Sequence, residues 1–154
     1  EKDGMDGVHV YLTNTSNLPV EALEREYPLT LLRYELVDDS GGAGKFRGGM
    51  GLRRVYRAES NCRIRFETTR QLSAPWGLEG GLEGGKSTFE FSRPSKEPGI
   101  SWMVPGDTAR IVTPGGGGYG SPGERDREQL AEDVREARIS SAMAAGAYGL
   151  GDKA

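Results

Sequence analysis

The sequence predicts a mainly β domain whose sheets are largely antiparallel, forming a sandwich or a barrel, with a short N-terminal helix and C-terminal helices. Three observations carry this. Apolar and polar residues alternate over short runs separated by turn residues, the pattern of half-buried strands. Glycine reaches 24 of 154 residues while hydrophobic residues make up only 35%, which fits many turns between short strands better than a helical bundle. The runs lack the long helices that parallel crossovers require. The length suits one domain, with a β-rich part over residues 1–120 and a helical segment over 121–154 packed on it.

Composition also excludes function classes. Charged residues make up 28% and the net charge is −3, so no basic field exists to hold nucleic acid or an anionic membrane. No apolar run approaches the roughly 20 residues of a membrane span and no charged-then-apolar leader is present, so the chain reads as soluble and cytoplasmic. Cys62 is the lone cysteine and His9 the lone histidine, which excludes an internal disulfide and a closed Cys/His zinc site. A metal held here would need carboxylates. The start at Glu1, directly before strand-like sequence, is expected of a piece of something longer.

In chain order, Val8-His9-Val10-Tyr11-Leu12 is a short β-prone run ending in the polar cluster Thr13-Asn14-Thr15-Ser16-Asn17, where a turn or helix cap belongs. A lone imidazole in such a run reads as a packed, hydrogen-bonded residue. Pro19 and the acids after it favour a short helix to Glu26, capped by Asn17 and stopped by Pro28. Glu21 and Glu24 then share a face, as carboxylates paired for a metal or proton relay would, or as a solvated acidic face does. Leu32, Tyr34 and Leu36 alternate with Arg33 and Glu35, which reads as a half-buried strand.

That strand runs into Asp38-Asp39-Ser40-Gly41-Gly42-Ala43-Gly44-Lys45-Phe46-Arg47-Gly48-Gly49-Met50-Gly51, the turn around which the chain is organised. Glycine lets backbone N–H groups converge on a ligand or on another chain segment. With Asp39, Lys45, Arg47 and the Ser40 hydroxyl in it, the turn points to a shaped polar site, or else to a wide connection between strands. Residues 52–58 and 62–68 flank Glu59-Ser60-Asn61, a spacing suited to a hairpin, and Cys62 joins Ile64 and Phe66 as a small core residue.

Residues 74–87 form a second glycine-rich loop, in which Gly80 to Ser87 satisfies the written pattern of a nucleotide-binding P-loop. A P-loop must follow a buried strand and open a helix. Here Pro75 and Trp76 precede it and Thr88-Phe89-Glu90-Phe91 alternates like a strand, so a surface loop without phosphate-cradling geometry is expected. Residues 100–104 and 108–112 flank Pro105-Gly106-Asp107 as a second hairpin. Its exit runs into Thr113-Pro114-Gly115-Gly116-Gly117-Gly118-Tyr119-Gly120, a third loop placed to line one cleft with the first. Ser121-Pro122-Gly123-Glu124 has a helix-start signature for a charged helix through about Arg138, whose narrow Leu130 and Val134 stripe can dock on a sheet. Ser140 caps a last helix of small residues.

Thr13-Asn14-Thr15-Ser16-Asn17-Leu18-Pro19-Val20-Glu21 with Glu24 and Tyr27-Pro28, then Asp39 through Gly51, Pro75-Trp76-Gly77-Leu78, Thr113 through Gly120, and Asp133-Val134-Arg135 with Ser140 and Tyr148-Gly149, resemble in that order the hydantoinase B/oxoprolinase family. The resemblance covers nearly the whole chain and matches the C-terminal part of a longer polypeptide of the N-methylhydantoinase B type. It implies a cytoplasmic, hetero-oligomeric hydrolase of small cyclic amides such as hydantoins or 5-oxoproline, or a related ketone carboxylase. It also implies a hydantoinase A-type partner subunit that supplies ATP-dependent activation, and a divalent metal held by a His- and Asp-containing motif of the N-terminal region. No such motif occurs here, so this stretch alone is expected to bind no cofactor and to be inactive.

Opening a lactam requires polarising or activating an unreactive amide carbonyl and stabilising the tetrahedral oxyanion. On the family reading, Lys45 and Arg47 serve the oxyanion, Asn14 orients the ring amide, and Glu21 or Asp39 moves a proton or completes a metal shell, with Ser40 the hydroxyl of the same turn. The rival reading is a β-rich scaffold that docks the partner subunit while chemistry happens elsewhere.

Overall fold

The computed structural model describes residues 2–8 and 15–150, so Asn14, His9 and most of the first β-prone run lie outside the described residues. The elements are α1 (Val20–Glu26), β1 (Leu29–Val37), β2 (Gly51–Ala58), β3 (Cys62–Arg65), β4 (Thr88–Phe91), β5 (Ile100–Met103), β6 (Thr108–Val112), a 3-10 turn (Pro122–Glu124), α2 (Arg127–Arg135) and α3 (Ser141–Gly146). A four-stranded sheet has the order β1-β2-β6-β4 and a two-stranded sheet pairs β3 with β5. Among the described residues every strand pairing is antiparallel and the sheets are open, so the domain is mainly β without being a closed barrel.

Pairing departs from the two hairpins that spacing predicts. β2 and β3 do not pair with each other, nor do β5 and β6; β2 pairs β6 and β3 pairs β5. The register is continuous across the change of sheet, because Arg57 faces Thr108 and Cys62 faces Met103, five residues further along each segment. The Ala58 N–H donates to the Asp107 carbonyl and the Gly106 N–H to the Ala58 carbonyl, both at 2.8 Å, which holds the two connections side by side. Residues 51–65 and 100–112 are therefore the arms of one bent ribbon. At the bend Ala58, Met103 and Ala109 are buried, with Cys62, Ile64 and Phe91 against them, and Cys62 sits in apolar packing.

One sheet face carries Tyr34, Arg54, Ile111 and Phe89 in line across β1, β2, β6 and β4. The β1 alternation is broken by a register shift between Leu31 and Arg33, so Leu31 rather than Leu32 stands opposite Tyr56. Leu32, Tyr34 and Leu36 are each more than two-fifths exposed, and the apolar side of β1 is left largely open. α1 has Pro19, not Asn17, at its N-cap with no side-chain cap bond, because the Asn17 amide donates to the Tyr34 hydroxyl at 2.8 Å. At the other end of the chain, Ser121-Pro122-Gly123-Glu124 makes only the 3-10 turn, and Asp126 caps α2 by accepting from the Glu128 and Gln129 N–H groups. Ser140 does cap α3, accepting from the Met143 N–H at 3.1 Å. The α2 stripe docks not on a sheet but beside Ala43 of the glycine-rich turn, with Ile139, Ala144 and Tyr148. No helix among the described residues is long and apolar enough to cross a membrane.

Candidate functional site

The three glycine-rich stretches pack on one another. The Gly42 N–H donates to the Gly116 carbonyl and the Gly116 N–H to the Gly49 carbonyl, both at 2.8 Å. Leu78 donates to Gly118 and Gly118 to Leu82, both at 2.9 Å, while Leu82 donates to Ala43 and Gly85 to Ser40, both at 2.7 Å. Each stretch thus bonds to both others. The close approach explains the glycines: a Cβ at Gly115 would overlap the Ser40 carbonyl, and one at Gly48 the Gly116 carbonyl. Of the two uses of dense glycine, convergence on a ligand or on another chain segment, the structure adopts the second over this layer.

The layer includes the P-loop-like stretch, which is a surface loop as expected: Gly80, Leu82, Glu83 and Lys86 are exposed, while Gly84 and Ser87 are buried where it meets the other stretches. Most of its N–H groups are already spent: Gly81 donates to Leu78, Leu82 to Ala43, Gly84 to Pro75, Gly85 to Ser40 and Ser87 to Arg70. It leads into β4 rather than a helix. These residues do not fit a nucleoside triphosphate, since most of the amides that would converge on its phosphates are taken by carbonyls and the stretch opens no helix.

Each sequence-derived site residue except Asn14, which lies outside the described residues, now has a place. The Asp39 carboxylate accepts from the Ser140 N–H at 2.7 Å and its own N–H donates to the Arg138 carbonyl at 3.1 Å, tying the start of the turn to the α2–α3 connection. The Ser40 hydroxyl donates to the Val37 carbonyl and accepts from the Gly51 N–H at 2.8 Å, closing the base of the loop. The Lys45 ammonium is part-exposed, 3.6 Å from the Glu124 carboxylate. Glu21 is exposed on α1, and Glu24 accepts from the Leu31 N–H at 2.9 Å, so the two acids do not converge.

Arg47 is only 4% exposed. Its Nη1 donates to the Gly48 carbonyl at 2.7 Å and faces the Asp6 carboxylate at 3.4 Å, while its Nε lies 3.8 Å from Asp133. Asp133 is the hub of a network that sequence reasoning missed. Its other oxygen takes Arg125 Nη2 at 2.5 Å, and Arg125 grips both oxygens of Asp3 at 2.8 Å. Asp3 also accepts the Arg47 N–H at 2.7 Å, and Asp6 the Met50 N–H at 2.6 Å. Burial pushes the Asp3 carboxyl up, but the bonds from Arg125 and the Arg47 N–H, with both guanidinium charges, outweigh it and hold it below its ordinary range. The same carboxylates raise Arg125 although burial opposes them. No local signal marks this cluster, because its members come from residues 3–6, 47, 125 and 133.

Among the described residues no group of three or more His, Cys, Asp and Glu side chains is placed to hold a metal ion. Asp3, Asp6 and Asp133 are committed to arginines, so these residues do not form a metal shell.

Comparison with known proteins places this geometry. A family model described as hydantoinase B/oxoprolinase matches residues 1–122. The chain is 37% identical to a protein of a Pseudomonas species, strain NS671, named as the B component of a D-/L-hydantoinase, covering 97% of this chain and 26% of that protein. It is 31% identical to the beta chain of the caprolactamase of Pseudomonas jessenii, covering 85% of this chain and 24% of that one. The crystal structure of the ATP-dependent caprolactamase from the same organism superposes with a TM-score of 0.67 at 30% identity, covering 86% of this chain and 25% of that one. A nucleotide-free acetone carboxylase shares the fold, with a TM-score of 0.71 at 19% identity over 96% of this chain and 25% of that one. The chain spans about a quarter of the length of the hydantoinase and caprolactamase relatives and about a tenth of that of the 5-oxoprolinases it matches.

Proposed function

The chain belongs to the hydantoinase B/oxoprolinase family, and from that premise we propose that it is part of the hydantoinase B-type component of a cytoplasmic, ATP-dependent, hetero-oligomeric hydrolase of small cyclic amides. A hydantoinase A-type subunit is its partner and supplies the activation, and the divalent metal is held outside these residues. Relatives at 30% identity or more include proteins named as a hydantoinase, a caprolactamase and a 5-oxoprolinase, which favours hydrolysis over ketone carboxylation.

Within that enzyme the glycine layer is a rigid platform, and the observation that carries this is the burial of Arg47 against Gly48, Asp6 and Asp133. Asp39, Ser40 and Arg47 are positioning residues: they hold the loops that reach the ring-opening centre. Rigid support matters there because misplacement of about 1 Å costs orders of magnitude in rate. Lys45, whose part-exposed ammonium meets the solvent-facing Glu124 carboxylate, and Glu21 are the groups placed to touch substrate or partner. Asn14 keeps its role of orienting the ring amide. The helical segment of residues 121–154 locks the β-rich part of residues 1–120 through Arg125, Asp133 and Ser140.

The test is ADP release and ring opening by the complete subunit with its partner, offered hydantoin, 5-oxoproline and caprolactam. At least one cyclic amide should be opened in step with ATP. Lys45→Ala should lower kcat/KM with little change in melting temperature, whereas Arg47→Lys should lower kcat and the melting temperature together. Turnover of a ketone with bicarbonate, and of none of the cyclic amides, would overturn the hydrolase reading. Full specific activity in the folded Lys45→Ala enzyme would leave Lys45 outside the chemistry.

A further inference from the structure

Arg54 is a charged residue on an apolar face. It stands in the line from Tyr34 to Ile111, and its neighbours on β2 treat their charge differently. Arg53 binds Glu35 at 2.7 Å and Arg57 binds Glu59 at 2.8 Å. Among the described residues Arg54 has no carboxylate within ion-pair distance, and residues 9–14, His-Val-Tyr-Leu-Thr-Asn, contain none. Its guanidinium carbon lies 4.7 Å from the Tyr34 ring centroid, its Nη2 donates to the Tyr34 hydroxyl at 3.2 Å, and its buried Nε has no hydrogen-bond partner among the described residues. A half-buried guanidinium with unused donors is costly unless an anion completes it.

A cavity lies at that spot. It measures about 470 Å³ and is wedged between the sheet face and the glycine layer, with Arg54, Asn17 and Thr113 lining it along with Met5, Val8 and Leu52. Thr113 is already satisfied, since its hydroxyl accepts the Leu52 N–H at 2.8 Å. Tyr34 is held from both sides, by the Asn17 amide and by Arg54. The polar character is therefore concentrated on one fork-shaped cation, and the volume lies within the range of small-molecule sites.

We propose that this cavity binds a small organic carboxylate, its two oxygens on the Arg54 guanidinium and its carbon chain against Met5, Val8 and Leu52. Guanidinium matches a carboxylate by two parallel N–H···O bonds, which a neutral amide cannot reproduce. The assignment stands on these residues and not on the ring-opening reading. Ring-opened cyclic amides are one source of such a carboxylate.

The test is calorimetric titration of the 154-residue chain with 6-aminohexanoate, N-carbamoylglycine and acetate. N-carbamoylglycinamide, the neutral amide of one of these probes, and inorganic phosphate serve as contrasts. A carboxylate should bind with a Kd of about 1 mM or tighter, and the amide about tenfold more weakly or worse. Tighter binding of the ring-opened probes than of acetate assigns the site to that source; equal binding assigns it to simple carboxylates. Arg54→Gln should lose about tenfold or more, while Arg57→Gln on the same strand leaves binding unchanged. Circular dichroism checks each fold. If Arg54→Gln unfolds, Arg54→Lys carries the test, and it should weaken carboxylates while keeping their preference over the amide. No saturable binding, equal affinity for acid and amide, tighter binding of phosphate, or an unaffected folded Arg54 variant would each overturn the proposal.

Discussion

Replacing Asp133 by Asn removes a charge at the centre of the buried network while keeping its volume. The lost carboxylate faces Arg125 at 2.5 Å, Arg138 at 3.5 Å and Arg47 at 3.8 Å, and its side chain is 3% exposed, so solvent cannot replace it. Breaking a buried ion pair by removing one partner costs roughly 3–5 kcal/mol. Here Arg125 keeps Asp3 at 2.8 Å and Arg47 keeps Asp6 at 3.4 Å, which places the expected loss at the low end, about 3 kcal/mol. For a domain of this size that lowers the melting temperature by roughly 6–12 °C. Urea denaturation followed by circular dichroism is the assay, with an unchanged slope against denaturant showing that the native surface is intact. Adding Arg125→Met to Asp133→Asn should cost less than the two single losses summed, because each single change already strands the other's charge. A loss under about 1 kcal/mol, the range of an exposed pair, would refute the idea that this network ties α2 to the glycine layer.

Three further outcomes follow from the same geometry. Because Asp3 titrates below its ordinary value in the folded chain, its contribution is complete above the unfolded carboxyl value of about 3.9 and is lost as pH falls through the depressed folded value. Urea midpoints taken from pH 6 downward should therefore drop more steeply in the unmodified chain than in Asp3→Asn. Gly115→Ala should abolish folding, since its Cβ overlaps the Ser40 carbonyl, whereas Gly146→Ala, with open space around it in α3, should be neutral or add about 0.5–1 kcal/mol in the same denaturation assay. Burial, helped by the charge of Asp107, pushes the Cys62 thiol up, so alkylation at pH 8 should be slower than for free cysteine and reach the free rate in urea.

Local chemistry made much of this protein legible from the sequence alone. Alternation in residues 52–56 and 108–112 needs only the two-residue period of a strand, and Ser140 needs only its own hydroxyl and the next turn to cap α3. Motif order from Thr13 to Gly149 was likewise enough for the family. Partner choice was not legible. β2 has an ideal three-residue connection to β3, yet it pairs with β6, because the ribbon of residues 51–65 and 100–112 keeps one register through both sheets and gains more ladder than two separate hairpins would. The helix start moved from Ser121 to Asp126 because Arg125 is drawn into the ionic bridge between Asp3 and Asp133. Glycine density says only that backbone can come close; whether it meets a ligand or another strand is settled by what the distant chain brings to it. In this fold the 75–87 and 113–120 stretches arrive at the 40–51 stretch, and their carbonyls take the amides that a phosphate or an oxyanion would have needed.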